Sequence, residues 1–283
     1  MLTTSKQTKG MLLLLCCSIM WSISGVLIKT IPWNAFVIAG LRSLIAGIVM
    51  AAYIKHSGMR FTLDKTSAWG GVFISGMFIS FILANKLTTA ANAIVIQSCS
   101  PVFVLLYNVL FGGKRASKLD IVTVLLTMIG IGVFFFEELS AGMLLGNIVA
   151  LVAGILLAGV YIITCNSGAE ASMNGILFGH ILTALLGIPM MLVFDTPFTG
   201  SAVTGILLLG IVQLGIPYVL YGIAVQYCSP LACSLICMVE AIFNPIWVFL
   251  YSGEAPSVVA LIGGALVLAT VAIWAILSQK RQA

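Results

Sequence analysis

The chain alternates long apolar runs with short polar joints. Residues 11–28, 34–54, 68–86, 89–112, 119–137, 142–164, 173–193, 203–225, 229–252 and 256–278 are nearly unbroken successions of aliphatic, aromatic and small side chains. Each approaches the roughly twenty residues that carry a helix across about 30 Å of hydrocarbon. Backbone polar groups in lipid must be satisfied internally, so runs this continuous predict helices, whereas barrel strands would alternate polar and apolar positions. The expected fold class is an all-α polytopic membrane protein with ten transmembrane helices. The polar head Met1 to Gly10 precedes the first run without a small-residue cleavage pattern, so residues 11–28 are expected to be a retained span.

The polar joints orient the spans. Lys6, Lys9, Lys55, Arg60, Lys65, Lys114, Arg115, Lys118, Lys280 and Arg281 fall on one side, ten of the thirteen basic residues, and the positive-inside tendency makes that side cytoplasmic. Both termini are then cytoplasmic. Glu137, Glu138, Asp195 and Glu254 fall on the other side, where Lys29 and Lys86 mark the boundary.

The chain also resembles itself at an offset of 140. Gly70/Gly210, Ala84/Ala224, Phe103/Phe243, Leu110/Leu250, Gly113/Gly253 and Ser117/Ser257 are identical, and Tyr107/Trp247 and Phe111/Tyr251 are alike. Spans 3 to 5 thus correspond to spans 8 to 10, which divides the chain into five-helix repeats at 1–140 and 141–283 within one integrated transport domain. Five is odd, so the second repeat enters the membrane from the opposite side. Inverted repeats let two near-equivalent halves exchange conformations and open a midplane site alternately to each side.

Composition agrees with a membrane protein: 61% of residues are hydrophobic and 7% charged, and mean hydropathy is +1.19. The net charge of +5 comes from basic residues scattered between apolar runs, which form no nucleic-acid-binding stripe. Seven cysteines, at 16, 17, 99, 165, 228, 233 and 237, have no zinc or iron–sulfur spacing and read as small buried hydrophobes. No metal or other cofactor is expected.

Three stretches carry a family resemblance: "FVIAGLRSLIAGIV" (36–49), "SPVFVLLYNVLFGGKRAS" (100–117) and "EAIFNPIWVFLYSGEAPS" (240–257). They resemble the ten-helix, EamA-like branch of the drug/metabolite transporter superfamily. In that family the ends of spans 4 and 9 show an acid or small polar residue, a proline, an apolar run and Gly-Glu. Here Ser100-Pro101 keeps the proline but not the acid, and Glu240-Ala241 keeps the acid but not the proline. Gly113-Lys114 departs from Gly-Glu, and Gly253-Glu254 retains it. The resemblance implies a bacterial inner-membrane carrier, often an exporter, of small polar metabolites such as amino acids, amines or carboxylates.

Glu240 is the sharpest candidate for substrate binding. It shares a helical face with Cys233, Cys237, Phe243, Asn244, Trp247 and Tyr251, a polar and aromatic stripe suited to protein or a cavity rather than lipid. An acid at mid-membrane is expensive unless protonated, paired or wet, and such acids mark transport paths. Glu240 would bind a substrate ammonium, a coupling proton, or both in turn; the bland alternative is a Glu that only fixes packing. The matching face of span 4 carries Gln97, Ser100 and Tyr107, which with Asn244 and Trp247 would line the cavity.

Arg42 would hold a substrate carboxylate, pair with an acid, or snorkel to the interface. His180 would relay protons or serve as an interhelical hydrogen-bonder. Trp21, Tyr161, Gln213, Tyr218 and Tyr221 are weaker candidates for stacking on a cationic or aromatic substrate.

HExxH, nucleophile-elbow and phosphate-loop motifs are absent, which argues against an enzyme. The expectation is a secondary transporter, foremost an exporter, of an amino acid or related amine. Its partners are the small-molecule substrate, the lipid bilayer and a coupling proton. A passive channel or facilitator is the alternative, with a membrane-embedded enzyme behind it.

Overall fold

Short polar caps start the helices that the apolar runs sustain. The Asn34 side chain accepts from the Phe36 amide at 2.9 Å. Asp64 and Ser67 form a reciprocal capping box. Thr199 and Ser229 accept from the amides of Ala202 and Ala232, and Pro230, at the first helical position, gives up an amide that would lack a helical partner anyway.

A computed structural model describes residues 2–88, 90–112, 117–134, 144–252 and 258–282. Among the described residues every regular element is helical. In chain order the α-helices are α1 (Leu2–Trp21), α2 (Ser24–Thr30), α3 (Ala35–His56), α4 (Lys65–Leu87), α5 (Ala90–Gln97), α6 (Ser100–Leu110), α7 (Lys118–Phe134), α8 (Leu144–Cys165), α9 (Ala169–Gly187), α10 (Gly200–Leu208), α11 (Ile216–Ala224), α12 (Pro230–Cys237), α13 (Val239–Ser252) and α14 (Val258–Gln282). A 3-10 stretch, Ile188–Leu192, extends α9, and a π-helical stretch, Leu209–Gly215, joins α10 to α11.

Seven helical stretches are long and apolar enough to cross a membrane: Lys6–Ile28, Ala35–His56, Lys65–Leu87, Asn92–Leu110, Leu144–Cys165, Ala169–Leu192 and Gly200–Ala224. Pro230–Phe243 and Leu261–Leu277 are shorter apolar helices, and α7 has 17 residues. Of the residues named from the sequence, Gly113, Lys114, Arg115, Glu137, Glu138, Gly253, Glu254 and Ser257 and the side chains of Lys29, Asn244, Tyr251, Lys280 and Arg281 lie outside the described part.

One helix break has a local cause. Pro101 has no amide to donate to the Gln97 carbonyl four residues back, and α5 ends at Gln97. Ser98 compensates by donating its hydroxyl to the Ile94 carbonyl at 2.7 Å. The second break, between α12 and α13, falls at Met238. Helices α5 and α12 have eight residues each and end 140 apart, at Gln97 and Cys237.

Helix α4 packs against α8 and α9, α3 against α9 and the π stretch, α1 against α11 and α12, α5 against α8, and α7 against α14. The α3–α9 crossing is close: a Cβ on Gly40 would sit 2.6 Å from the Ile188 nitrogen. Large apolar side chains such as Ile48, Trp69, Leu110 and Leu185 point outward, as a lipid-facing surface requires.

Candidate functional site

The two breaks meet. Gln97, Ser98 and Ser100 on one side and Cys237, Met238 and Glu240 on the other line a single cavity with about 350 Å³ of empty space. A second cavity, with about 370 Å³ of empty space counting its open mouth, adjoins it and shares Phe81, Gln97, Leu157, Tyr161 and Glu240. It extends to Trp21, Arg42, Phe78, Gln213 and Tyr218. Interrupted helices facing a cavity are the form in which membrane proteins tolerate free backbone polar groups, and carriers use them at substrate sites. Glu240, half-buried, belongs to both cavities.

Arg42 does not snorkel; it is 1% exposed. Its Nη1 donates to the Gln213 side-chain oxygen at 3.2 Å, and its guanidinium carbon lies 5.6 Å from the Phe78 ring centroid. Its Nε has no hydrogen-bond partner among the described residues. Gln213 belongs to the π stretch, whose wide turn is closed by the Ile216 amide donating to the Ile211 carbonyl, five residues back. π-Helical insertions recur at functional sites because they reorient side chains within a helix.

An aromatic wall completes the cavity. Tyr218 lies 5.1 Å from Trp21 and 5.1 Å from Phe78, the latter edge to face, and 5.7 Å from Tyr221. Tyr221 is fixed by a 2.7 Å hydrogen bond between its hydroxyl and Thr164. His180 stands against this wall, stacked on Phe78 at 5.0 Å and edge-on to Tyr218 at 5.5 Å. The ring is fully buried, and neither nitrogen has a hydrogen-bond partner among the described residues.

Of the residues singled out in the sequence, Glu240, Gln97, Ser100 and Arg42 are therefore brought together around one pair of cavities. Trp247 is placed differently: its indole donates to the Ser22 hydroxyl at 2.7 Å, beside the break between α1 and α2. Tyr107 is 39% exposed with its ring 5.8 Å from Phe111.

The sequence reading does not single out Phe78 and Phe81, yet the 140-residue offset carries a signal for both. At the offset of 140, Phe78 corresponds to Tyr218, Phe81 to Tyr221, and Trp21 to Tyr161. Five of these six aromatic residues line the second cavity, and the sixth, Tyr221, packs 5.7 Å from Trp21.

Residues 8–136 match the model of the EamA-like transporter family. An uncharacterized transporter of Archaeoglobus fulgidus is 27% identical over 212 residues, covering 74% of this chain and 76% of that protein. The pseudopaline exporter CntI of Pseudomonas aeruginosa is 25% identical over 270 residues, covering 91% and 93%. A crystal structure superposes with a TM-score of 0.78 at 18% identity over 96% of this chain and 98% of its own, which shows a shared fold. These matches indicate a membrane transporter with a small-molecule substrate. The resemblance read from the sequence therefore stands: residues 8–136 match the model of the EamA-like transporter family, and the relatives are named as transporters.

Proposed function

We propose that the protein is a secondary transporter that exports a small amine-bearing metabolite, an amino acid or related amine, by alternating access. Two inverted five-helix repeats, 1–140 and 141–283, enclose the cavity, and both termini lie on the cytoplasmic side of the inner membrane. Glu240 takes the substrate ammonium or, alternately, the coupling proton. Gln97 and Ser100 face it across the cavity.

The observation that carries this reading is the pair of helix breaks 140 residues apart that meet at one cavity. The packing supports it too. Exchanging the repeats maps α3 onto α9 and α7 onto α14, and each of these pairs is in contact. The same exchange maps the α4–α9 contact onto that of α3 with the π stretch, and the α5–α8 contact onto α1–α12. A relative named as an exporter of pseudopaline favours the outward direction.

The test is saturable uptake of labelled amino acids and amines into proteoliposomes, with and without a pH gradient, for the natural chain and Glu240→Gln. Gradient-dependent uptake lost in the variant supports the carrier and the role of Glu240. Non-saturating flux without counterflow would identify a channel instead.

A further inference from the structure

The cavity wall is symmetric in its aromatic residues and asymmetric in its charges. Trp21/Tyr161, Phe78/Tyr218 and Phe81/Tyr221 are matched across the offset of 140. Polar residues around the same space, Arg42, Gln213, Glu240 and Gln97 among them, have no such match. Leu182 stands at the position equivalent to Arg42, Phe73 at that of Gln213, and Ser100 at that of Glu240. The backbone departs in the same place: Leu209–Gly215 is π-helical, whereas the equivalent residues of α4 are ordinary α-helix. A cavity built from matched apolar walls has no preferred polarity. The unmatched residues give it one, with a guanidinium on α3 and a carboxylate on α13.

Arg42 is the less explained of the two charges. A buried guanidinium is tolerated when an anion or several acceptors meet it. Its described contacts are a neutral amide oxygen and a ring face, and its Nε has none. Gln213 fixes one nitrogen and so presets the direction of the planar fork, the geometry that recognises a carboxylate through two parallel hydrogen bonds.

We infer, resting on the carrier reading above, that the substrate is a zwitterion whose carboxylate is required and is bound by Arg42. Its ammonium meets Glu240, and its apolar part lies against Trp21, Phe78 and Tyr218. A zwitterion replaces the attraction between Arg42 and Glu240 with two matched contacts and leaves the net charge of the cavity unchanged. An amine without a carboxylate takes Glu240 from Arg42 and supplies no anion in exchange, so it places a second cation beside an unbalanced guanidinium and is rejected by that repulsion.

The experiment compares matched compounds in proteoliposomes of the full chain, with protein-free liposomes subtracted. The sets are phenylalanine with 2-phenylethylamine and 3-phenylpropanoate, leucine with 3-methylbutylamine and 4-methylpentanoate, and serine with ethanolamine and 3-hydroxypropanoate. At least one amino acid is taken up saturably, and its amine and acid partners at least about tenfold more slowly, because a site built to bind a polar group discriminates strongly against its absence. In Arg42→Gln the gap between amino acid and amine closes, and Arg42→Lys retains part of it. Equal uptake of amine and amino acid by the natural chain overturns the carboxylate requirement and leaves the amine carrier intact. Uptake of no compound in any set overturns both. The natural-chain comparison decides the matter even if the Arg42 variants do not fold.

Discussion

Ser100 and Glu240 occupy the same place in two helices. Each follows closely on a break, the two stand 140 residues apart, and both line one cavity. The helix geometry is shared and the chemistry is not: Ser100 brings a hydroxyl to the cavity after one break and Glu240 a carboxylate after the other.

Arg42 and Gln213 form a stability relationship as well as a candidate recognition pair. Replacing Gln213 by Leu removes the one hydrogen-bond acceptor that, among the described residues, meets a guanidinium that is 1% exposed. A hydrogen bond to a buried charge contributes about 1.5–3 kcal/mol, so Gln213→Leu is expected to lower the thermal midpoint in detergent. Adding Arg42→Leu should recover much of the loss by removing the stranded charge. A single variant as stable as the natural chain would contradict the pairing.

Gly40 is expected to tolerate no side chain. Its Cβ would stand 2.6 Å from the Ile188 nitrogen and 2.7 Å from the Gly187 carbonyl carbon, both backbone atoms that cannot rotate away. Gly40→Ala should force α3 and α9 apart at a cost of about 1–3 kcal/mol. Gly132→Ala is the control, because nothing lies within 4 Å of its added methyl, and helix propensity alone makes it neutral or slightly stabilising. Equal melting of the two variants would remove the close crossing.

Cys165 on α8 and Cys233 on α12 have sulfurs 3.4 Å apart. Copper-phenanthroline with dioxygen should oxidise them to a disulfide, the two thiols giving up two protons and two electrons. Peptide mass mapping would detect the link, and Cys233→Ser would abolish it. If α8 and α12 separate during transport, the cross-link halts uptake and reducing agent restores it; continued uptake by the linked protein would place the moving contact elsewhere.

The helices were legible because lipid demands long apolar runs, and the 140-residue offset was legible because spans 3 to 5 and 8 to 10 keep glycines and aromatics in register. Gln97, Ser100 and Glu240 could be grouped from helical spacing taken together with the 140-residue offset. The π stretch could not: nothing in "LGIVQLG" distinguishes one wide turn from an ordinary one, since the difference is a backbone hydrogen bond. For the same reason the Gln213–Arg42 contact was out of reach, as it joins residues 171 apart whose meeting depends on how two helices cross. Trp247 shares a face of α13 with Glu240 by count, but its bond to Ser22 gives it another partner.

Asp64 gives an acid-side prediction outside the membrane-spanning segments. Hydrogen bonds from Ser67, first its side chain and then its amide, hold the carboxyl below its ordinary value of 3.8. A depressed folded-state value means that this contribution to stability is present above the unfolded value and is lost as pH falls through the folded one. Asp64→Ala should therefore flatten the fall in melting temperature below about pH 4, and the difference should be small because the group is exposed and screened. Parallel melting curves across that range would remove the capping box as a source of acid sensitivity.

The pseudo-symmetry makes the strongest demand on Glu240. If the two repeats exchange roles during transport, the carboxylate need only reach the shared cavity, and either break can present it. Glu240→Ser alone should slow saturable uptake by at least about tenfold, the scale on which a site loses a substrate lacking its partner charge. Combining it with Ser100→Glu returns one carboxylate to the same cavity from the opposite repeat. Partial recovery in the double variant is expected, with altered affinity because the distance to Arg42 changes while Arg42 itself stays with Gln213. Ser100→Glu in the natural background should impair uptake instead, since two carboxylates in one cavity repel each other and leave Arg42 unable to balance both. A double variant no better than Glu240→Ser would mean that the acid acts through its own neighbours on α12 and α13, and the equivalence of the two breaks would then be structural alone.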